Sequence, residues 1–240
     1  MKSLLFWIAF PFLLPQALYV RRTAPRFAPA AGPRSGIIGE GEPIRLLAIG
    51  DSIIAGVGVA ELQKALVGQT ANALAQSSPR SVQWQALGVS GYTSTKILEQ
   101  LMPKLPELSA DYIIVSVGVN DITGLTTMRQ WRRNLSLLLE RLRVHSPEAF
   151  IAIAGMPPMH GFPLLPQPLR AVFGMRARSF DKAAKRVIGG HLNATHVPLD
   201  FAPDAEQFCA DGYHPSEASY AEFGRQMAGC LLASKARSVQ

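Results

Sequence analysis

Residues able to act together on a carbonyl carbon occupy four short segments far apart in the chain. Ser52, in Gly50-Asp51-Ser52, supplies a hydroxyl. His214, in Asp211-Gly212-Tyr213-His214-Pro215, supplies an imidazole with a carboxylate three residues before it. Gly91 lies in Gly88-Val89-Ser90-Gly91-Tyr92-Thr93-Ser94, and Asn120 places a carboxamide in Gly118-Val119-Asn120-Asp121. An alcohol is a poor nucleophile at neutral pH and needs a base within hydrogen-bond reach. An imidazole, with an ordinary pKa of about 6.5, can take that proton and later return it to a leaving group. Taken singly, each segment also reads as ordinary turn chemistry: Gly91 before a helix capped by Thr93 or Ser94, Asn120 and Asp121 as turn residues, Asp211 or Ser216 as a helix cap. Independent turns would rarely deliver this set of groups in this order.

Other chemistries fit less well. A phosphatase-type nucleophile at Asp51 would want a second carboxylate two residues on, where Ile53 stands, so Asp51 reads as a loop-anchoring residue. Gly56-Val57-Gly58 lacks the third glycine of a dinucleotide loop and follows its strand too late. His145, His191 and His196 show no metal-ligand spacing, and no cofactor is called for.

The elements that must position these groups follow from the apolar pattern. Runs at 44–49, 82–87, 112–117, 150–154 and 195–199 read as strands, and helical patterns fall at 60–76, 94–104, 126–144, 169–188 and 216–234. The third helix is the clearest, with Trp131, Leu135, Leu138 and Leu142 on one face. Strands alternating with helices predict an α/β fold, a three-layer α/β/α flavodoxin-like sandwich around a central parallel five-stranded sheet. With right-handed crossovers, the loops after the first, second, third and fifth strands open on one edge of that sheet. In open α/β sheets that carboxyl edge is where ligands bind.

These segments resemble the four blocks of the SGNH, or GDSL-type, hydrolases: Gly50-Asp51-Ser52 after the first strand, Gly91 in a small-residue loop, Gly118-Val119-Asn120-Asp121 after the third, and Asp211-x-x-His214 near the C-terminus. The resemblance spans residues 44–233, in order and at the usual spacing. One departure is Ile53, where many members carry leucine. The resemblance implies a serine esterase with Ser52 as nucleophile, His214 as base, Asp211 orienting the imidazole, and an oxyanion hole from the Ser52 and Gly91 amides and the Asn120 side chain. The segment Met156 to Pro166, apolar and stiffened by prolines, is too long for a simple turn and is expected to wall the substrate pocket. Met156, Met159, Phe162 and Leu165, with Tyr213 from the histidine loop, are the expected lining. The same site would serve a carbohydrate O-acetylesterase or acetyltransferase, a thioesterase or a lysophospholipase. A reading from another class is an inert flavodoxin-like binding module.

Ahead of the domain, an apolar run from Leu4 to Val20 is followed by Arg21, Arg22 and Arg26. It reads as an uncleaved membrane anchor over residues 1–22, with a cleaved export signal as the alternative. The arginines after it favour a cytoplasmic catalytic domain, and an exported or periplasmic one would follow from cleavage. Residues 23–41, rich in Pro, Gly and Ala, read as a linker, and residues 42–240 as the hydrolase domain. The formal net charge is +7, but no basic block is interleaved with aromatics, which argues against a nucleic-acid partner. The expected partner is a small-molecule or lipid-like ester. Two cysteines, Cys209 and Cys230, make no disulfide framework.

Overall fold

The apolar runs form strands, and the three central ones, at 44–50, 112–116 and 150–154, are largely buried on both faces because each alternates its side chains between two helical layers. In β2 (Ile44–Gly50), Leu46 and Ala48 enter one core and Leu47 and Ile49 the other. β3 (Val82–Gly88), β4 (Tyr112–Ser116), β5 (Phe150–Ala154) and β6 (Ala194–Val197) complete a parallel set. This computed structural model describes residues 2–199 and 204–238. The first residues of the loop expected from Asp200 onward lie outside the described residues.

Among the described residues the sheet has six strands, not five, in the order β1-β3-β2-β4-β5-β6. The added strand, β1 (Ser35–Ile38), runs antiparallel along the edge of β3 and comes from the stretch read as linker. It is four residues long, and Ile37 stays exposed, so no buried apolar run announces it. The segment before it is also held: Ala30 N–H donates to Ala55 O at 3.0 Å and Ala31 N–H to Ala60 O at 2.9 Å.

The helices are α1 (Lys2–Thr23), α2 (Leu66–Gln76), α3 (Ser94–Lys96, continuing into a π turn), α4 (Val119–Thr123), α5 (Met128–His145), α6 (Leu169–Ile188) and α7 (Glu217–Ser238). α2 and α7 cover one face of the sheet through Leu66, Leu74, Tyr220, Phe223 and Met227. α5 and α6 cover the other through Trp131, Leu135, Leu138 and Phe180. Thr127 caps α5 by accepting from the Gln130 N–H at 3.2 Å.

Among the described residues no helix is long and apolar enough to cross a membrane, so the expected anchor is not supported. The described residues of α1 pack against α6 instead. Phe6, Phe10 and Leu13 are buried, and Phe6 and Phe10 each stack on Phe173 with centroids 6.5 Å apart. The run is also interrupted by Pro11, Pro15 and Gln16. Gln16 ties the helix to the start of α6, donating to Gln167 O at 2.8 Å and accepting from Leu169 N–H at 3.0 Å.

Strand register does the positioning. Gly50 is level with both Gly88 and Ser116, so three neighbouring strands end together. A Cβ at Gly50 would overlap the Ser116 carbonyl, so only glycine lets the turn into Ser52 start this close to β4.

Candidate active site

Ser52 begins the turn after β2 and is 8% exposed. Its Oγ lies 2.9 Å from His214 Nε2, although the two residues are 162 apart in the chain. His214 Nδ1 lies 2.6 Å from Asp211 Oδ2. The short loop from 211 to 214 folds so that Asp211 Oδ1 accepts three further donors: Tyr213 N–H at 2.8 Å, His214 N–H at 2.9 Å and Cys209 Sγ at 3.1 Å. Burial alone would raise the Asp211 pKa. The hydrogen bonds from the His214 ring and backbone and from Cys209 outweigh it and hold the carboxyl down at about 2. Asp211 is therefore an anion at neutral pH, and the neutral imidazole carries its proton on Nδ1, leaving Nε2 to accept from Ser52.

Asp51 faces inward. Its Oδ1 accepts from Ile53 N–H and Ser116 Oγ, both at 3.1 Å, and its own N–H donates to Ser116 O at 3.1 Å. These bonds lock the serine turn onto β4. Burial pushes the Asp51 carboxyl up to about 6 against the pull of those two donors.

The remaining loops meet at the same edge. Gly91 has φ +81°. Asn120, in the first turn of α4, donates from Nδ2 to Tyr92 O at 3.1 Å, which fixes its amide beside the Gly91 loop. Among the described residues neither the Ser52 nor the Gly91 amide donates to another protein group. The loop pair is tied together beneath the surface by Asp121, fully buried, which accepts from Ser94 N–H at 2.8 Å and Ser94 Oγ at 2.6 Å. Asn134 of α5 donates to Ser94 Oγ at 2.9 Å and Thr95 Oγ1 at 2.8 Å. Burial raises the Asp121 pKa against those Ser94 bonds.

A cavity of about 40 Å³ adjoins Ser52 and His214. Of the expected lining, Met156, Phe162 and Tyr213 border it. Met159 and Leu165 do not: both are buried in the core under α6, because the loop alternates between facing the cavity and facing that helix. Residues the sequence did not single out complete the wall, among them Val117, Ala154, Leu199 and Phe223. Both cysteines are free thiols. Among the described residues no cluster of His, Cys, Asp and Glu could hold a metal ion.

The sequence model of the GDSL-like lipase/acylhydrolase family matches residues 48–222. The chain belongs to that family, and it is an ester-bond hydrolase. Solved structures share the fold. One is a carbohydrate esterase family 2 enzyme from Corynascus thermopiles, with TM-score 0.64, 18% identity, and 88% of this chain and 70% of that one covered. Another is a family 3 carbohydrate esterase from Clostridium thermocellum, with TM-score 0.62, 16% identity and coverage of 82% and 99%. A third is a lipase/acylhydrolase from Enterococcus faecalis, with TM-score 0.60, 21% identity and coverage of 79% and 96%. At such identities the likeness is one of fold. No curated protein matches the chain.

Proposed function

We propose that the protein hydrolyses carboxylic esters through an acyl-enzyme at Ser52. The observation that carries this reading is the continuous line from Ser52 Oγ to His214 Nε2, and from His214 Nδ1 to Asp211 Oδ2, beside an apolar cavity. Ser52 Oγ attacks the carbonyl carbon as its proton passes to Nε2. Asp211 stabilises the imidazolium and keeps the ring oriented. The tetrahedral oxyanion receives hydrogen bonds from the Ser52 and Gly91 amides and the Asn120 side chain. Collapse expels the alcohol, which takes the proton from Nε2. A water then enters, loses a proton to the same nitrogen and attacks the acyl carbon, which frees the acid and restores Ser52.

The cavity beside Ser52 is lined chiefly by apolar side chains, Val117, Ala154, Met156, Phe162 and Leu199 among them, which suits the acyl part of an ester. Two carbohydrate esterases among the solved structures of like fold favour an O-acetyl ester on a sugar as a second reading. Turnover of p-nitrophenyl acetate, butyrate and octanoate tests the proposal. It requires saturable hydrolysis of the short esters by the native protein and loss of that activity in Ser52→Ala. A native protein that turns over none of them, or a Ser52→Ala variant as active as the native, would overturn the proposal.

A further inference from the structure

A second histidine and carboxylate pair lies away from Ser52. His196, within β6, donates from Nε2 to Asp181 Oδ1 at 2.6 Å, and Lys185, one turn along α6, pairs with Oδ2 at 2.9 Å. The same Oδ1 accepts the backbone N–H of Met156 at 3.1 Å. Burial would raise Asp181, but the bonds from His196, Lys185 and Met156 hold it well below the usual carboxylate range, so the acceptor stays ionised.

This pair grips the chain where it leaves β5. Gly155 N–H donates to Val197 O at 2.8 Å, and a Cβ at 155 would come within 2.8 Å of His196 Cε1. The ring is thus packed against the peptide that enters the cavity wall. The next side chain, Met156, borders the cavity that holds Ser52, and its methyl occupies the space a Cβ at Gly118 would fill. Methionine has three rotatable bonds and little shape of its own, so a fixed wall needs a fixed backbone beneath it.

We infer that Asp181, clamped by His196 and Lys185, is a positioning residue that fixes Met156 as the wall limiting the length of the acyl group accepted at Ser52. The inference rests on the esterase reading above. Asp181 touches neither substrate nor Ser52; it acts through the Met156 N–H. Without that acceptor the 155–158 segment loosens, Met156 withdraws, and longer chains enter.

The test is the ratio of kcat/KM for p-nitrophenyl hexanoate to that for the acetate, measured on one preparation so that the folded fraction cancels. Asp181→Ala is expected to raise the ratio about tenfold, in keeping with the loss of one hydrogen bond to a charged acceptor. The gain is expected chiefly in the hexanoate KM, with kcat for acetate little changed. Asp181→Asn keeps a carbonyl for the Met156 N–H and is expected to stay within about twofold of the native ratio. Met156→Ala removes the wall directly and is expected to shift the ratio in the same direction, whether or not Asp181→Ala folds. An unchanged ratio in Asp181→Ala or Met156→Ala, or a shift in Asp181→Asn as large as in Asp181→Ala, overturns the inference while leaving the esterase reading intact. A native protein that hydrolyses neither ester overturns both.

Discussion

Replacing Asp211 by asparagine tests the histidine's role with little disturbance of the fold. Asp211 Oδ1 is held by three donors: the Tyr213 and His214 N–H groups and Cys209 Sγ. In Asp211→Asn the carbonyl oxygen must occupy that position, since an NH2 there would face three donors. The NH2 is then forced into the place of Oδ2, 2.6 Å from His214 Nδ1. Two donors cannot face one another, so Nδ1 gives up its hydrogen and becomes an acceptor. The ring proton moves to Nε2, which points at Ser52 and can no longer accept the hydroxyl proton. The chain loses its base through the wrong tautomer alone. The expected loss in kcat for p-nitrophenyl acetate is about 10⁴-fold, the size seen when a serine triad is forced into that tautomer. At about 1.4 kcal/mol per decade, that is about 5.5 kcal/mol of transition-state stabilisation. A single cooperative melting transition, lowered only by the loss of the carboxylate's own contribution, would show that the loop stays folded, since all three donors keep their acceptor. An Asp211→Asn variant with a kcat within tenfold of native would refute the argument.

Asn120→Ala removes one of the three donors assigned to the oxyanion and is expected to lower kcat by about 10² to 10³-fold, with a smaller change in KM, in steady-state assays. Asp51→Asn is expected to stabilise the fold above pH 6. Burial raises the Asp51 pKa from 3.8 to about 6, so the folded state holds its proton more tightly than the unfolded chain, and stability falls as pH rises through that interval. The amide avoids an ionisation penalty on the order of 3 kcal/mol, since each unit is worth about 1.4 kcal/mol. Denaturant midpoints at pH 7.5 should favour the variant, and at pH 3.5 the difference should vanish. For Asp211 the sign is opposite: its carboxyl is depressed to about 2, so its contribution is complete above pH 4 and fades as pH falls toward 2. Urea titrations of native protein and Asp211→Asn should therefore converge in strong acid.

The five parallel strands were legible because each is an apolar run of five to seven residues or ends on a distinctive loop, and a doubly covered strand needs such a run. β1 was not, since an edge strand of four residues buries too little to leave a pattern. The chain positions of Ser52, Asn120, Asp211 and His214 stood out because loops at strand ends carry residue types that packing does not require. Hidden from sequence were the contacts that support them. The bond from Ser94 to Asp121 and that from Ser116 to Asp51 join residues 27 and 65 apart, and nothing local marks either serine. Within the loop after β5, composition marked an apolar segment but could not tell a side facing the cavity, Met156 and Phe162, from a side facing the core, Met159 and Leu165. The anchor reading of the N-terminal run finds no support for a related reason: hydrophobicity measures the need to leave water, and α6 meets that need for Phe6, Phe10 and Leu13 as a bilayer would.

The central claim is that Ser52 is a nucleophile activated by His214. Peptide mapping by mass spectrometry after exposure to a fluorophosphonate ester tests it most directly, because the phosphorus forms its bond only with an activated hydroxyl. One adduct on Ser52 in the native protein, and none in His214→Ala, is the predicted result. An adduct on any other residue, or equal labelling of Ser52 once the imidazole is gone, would contradict it.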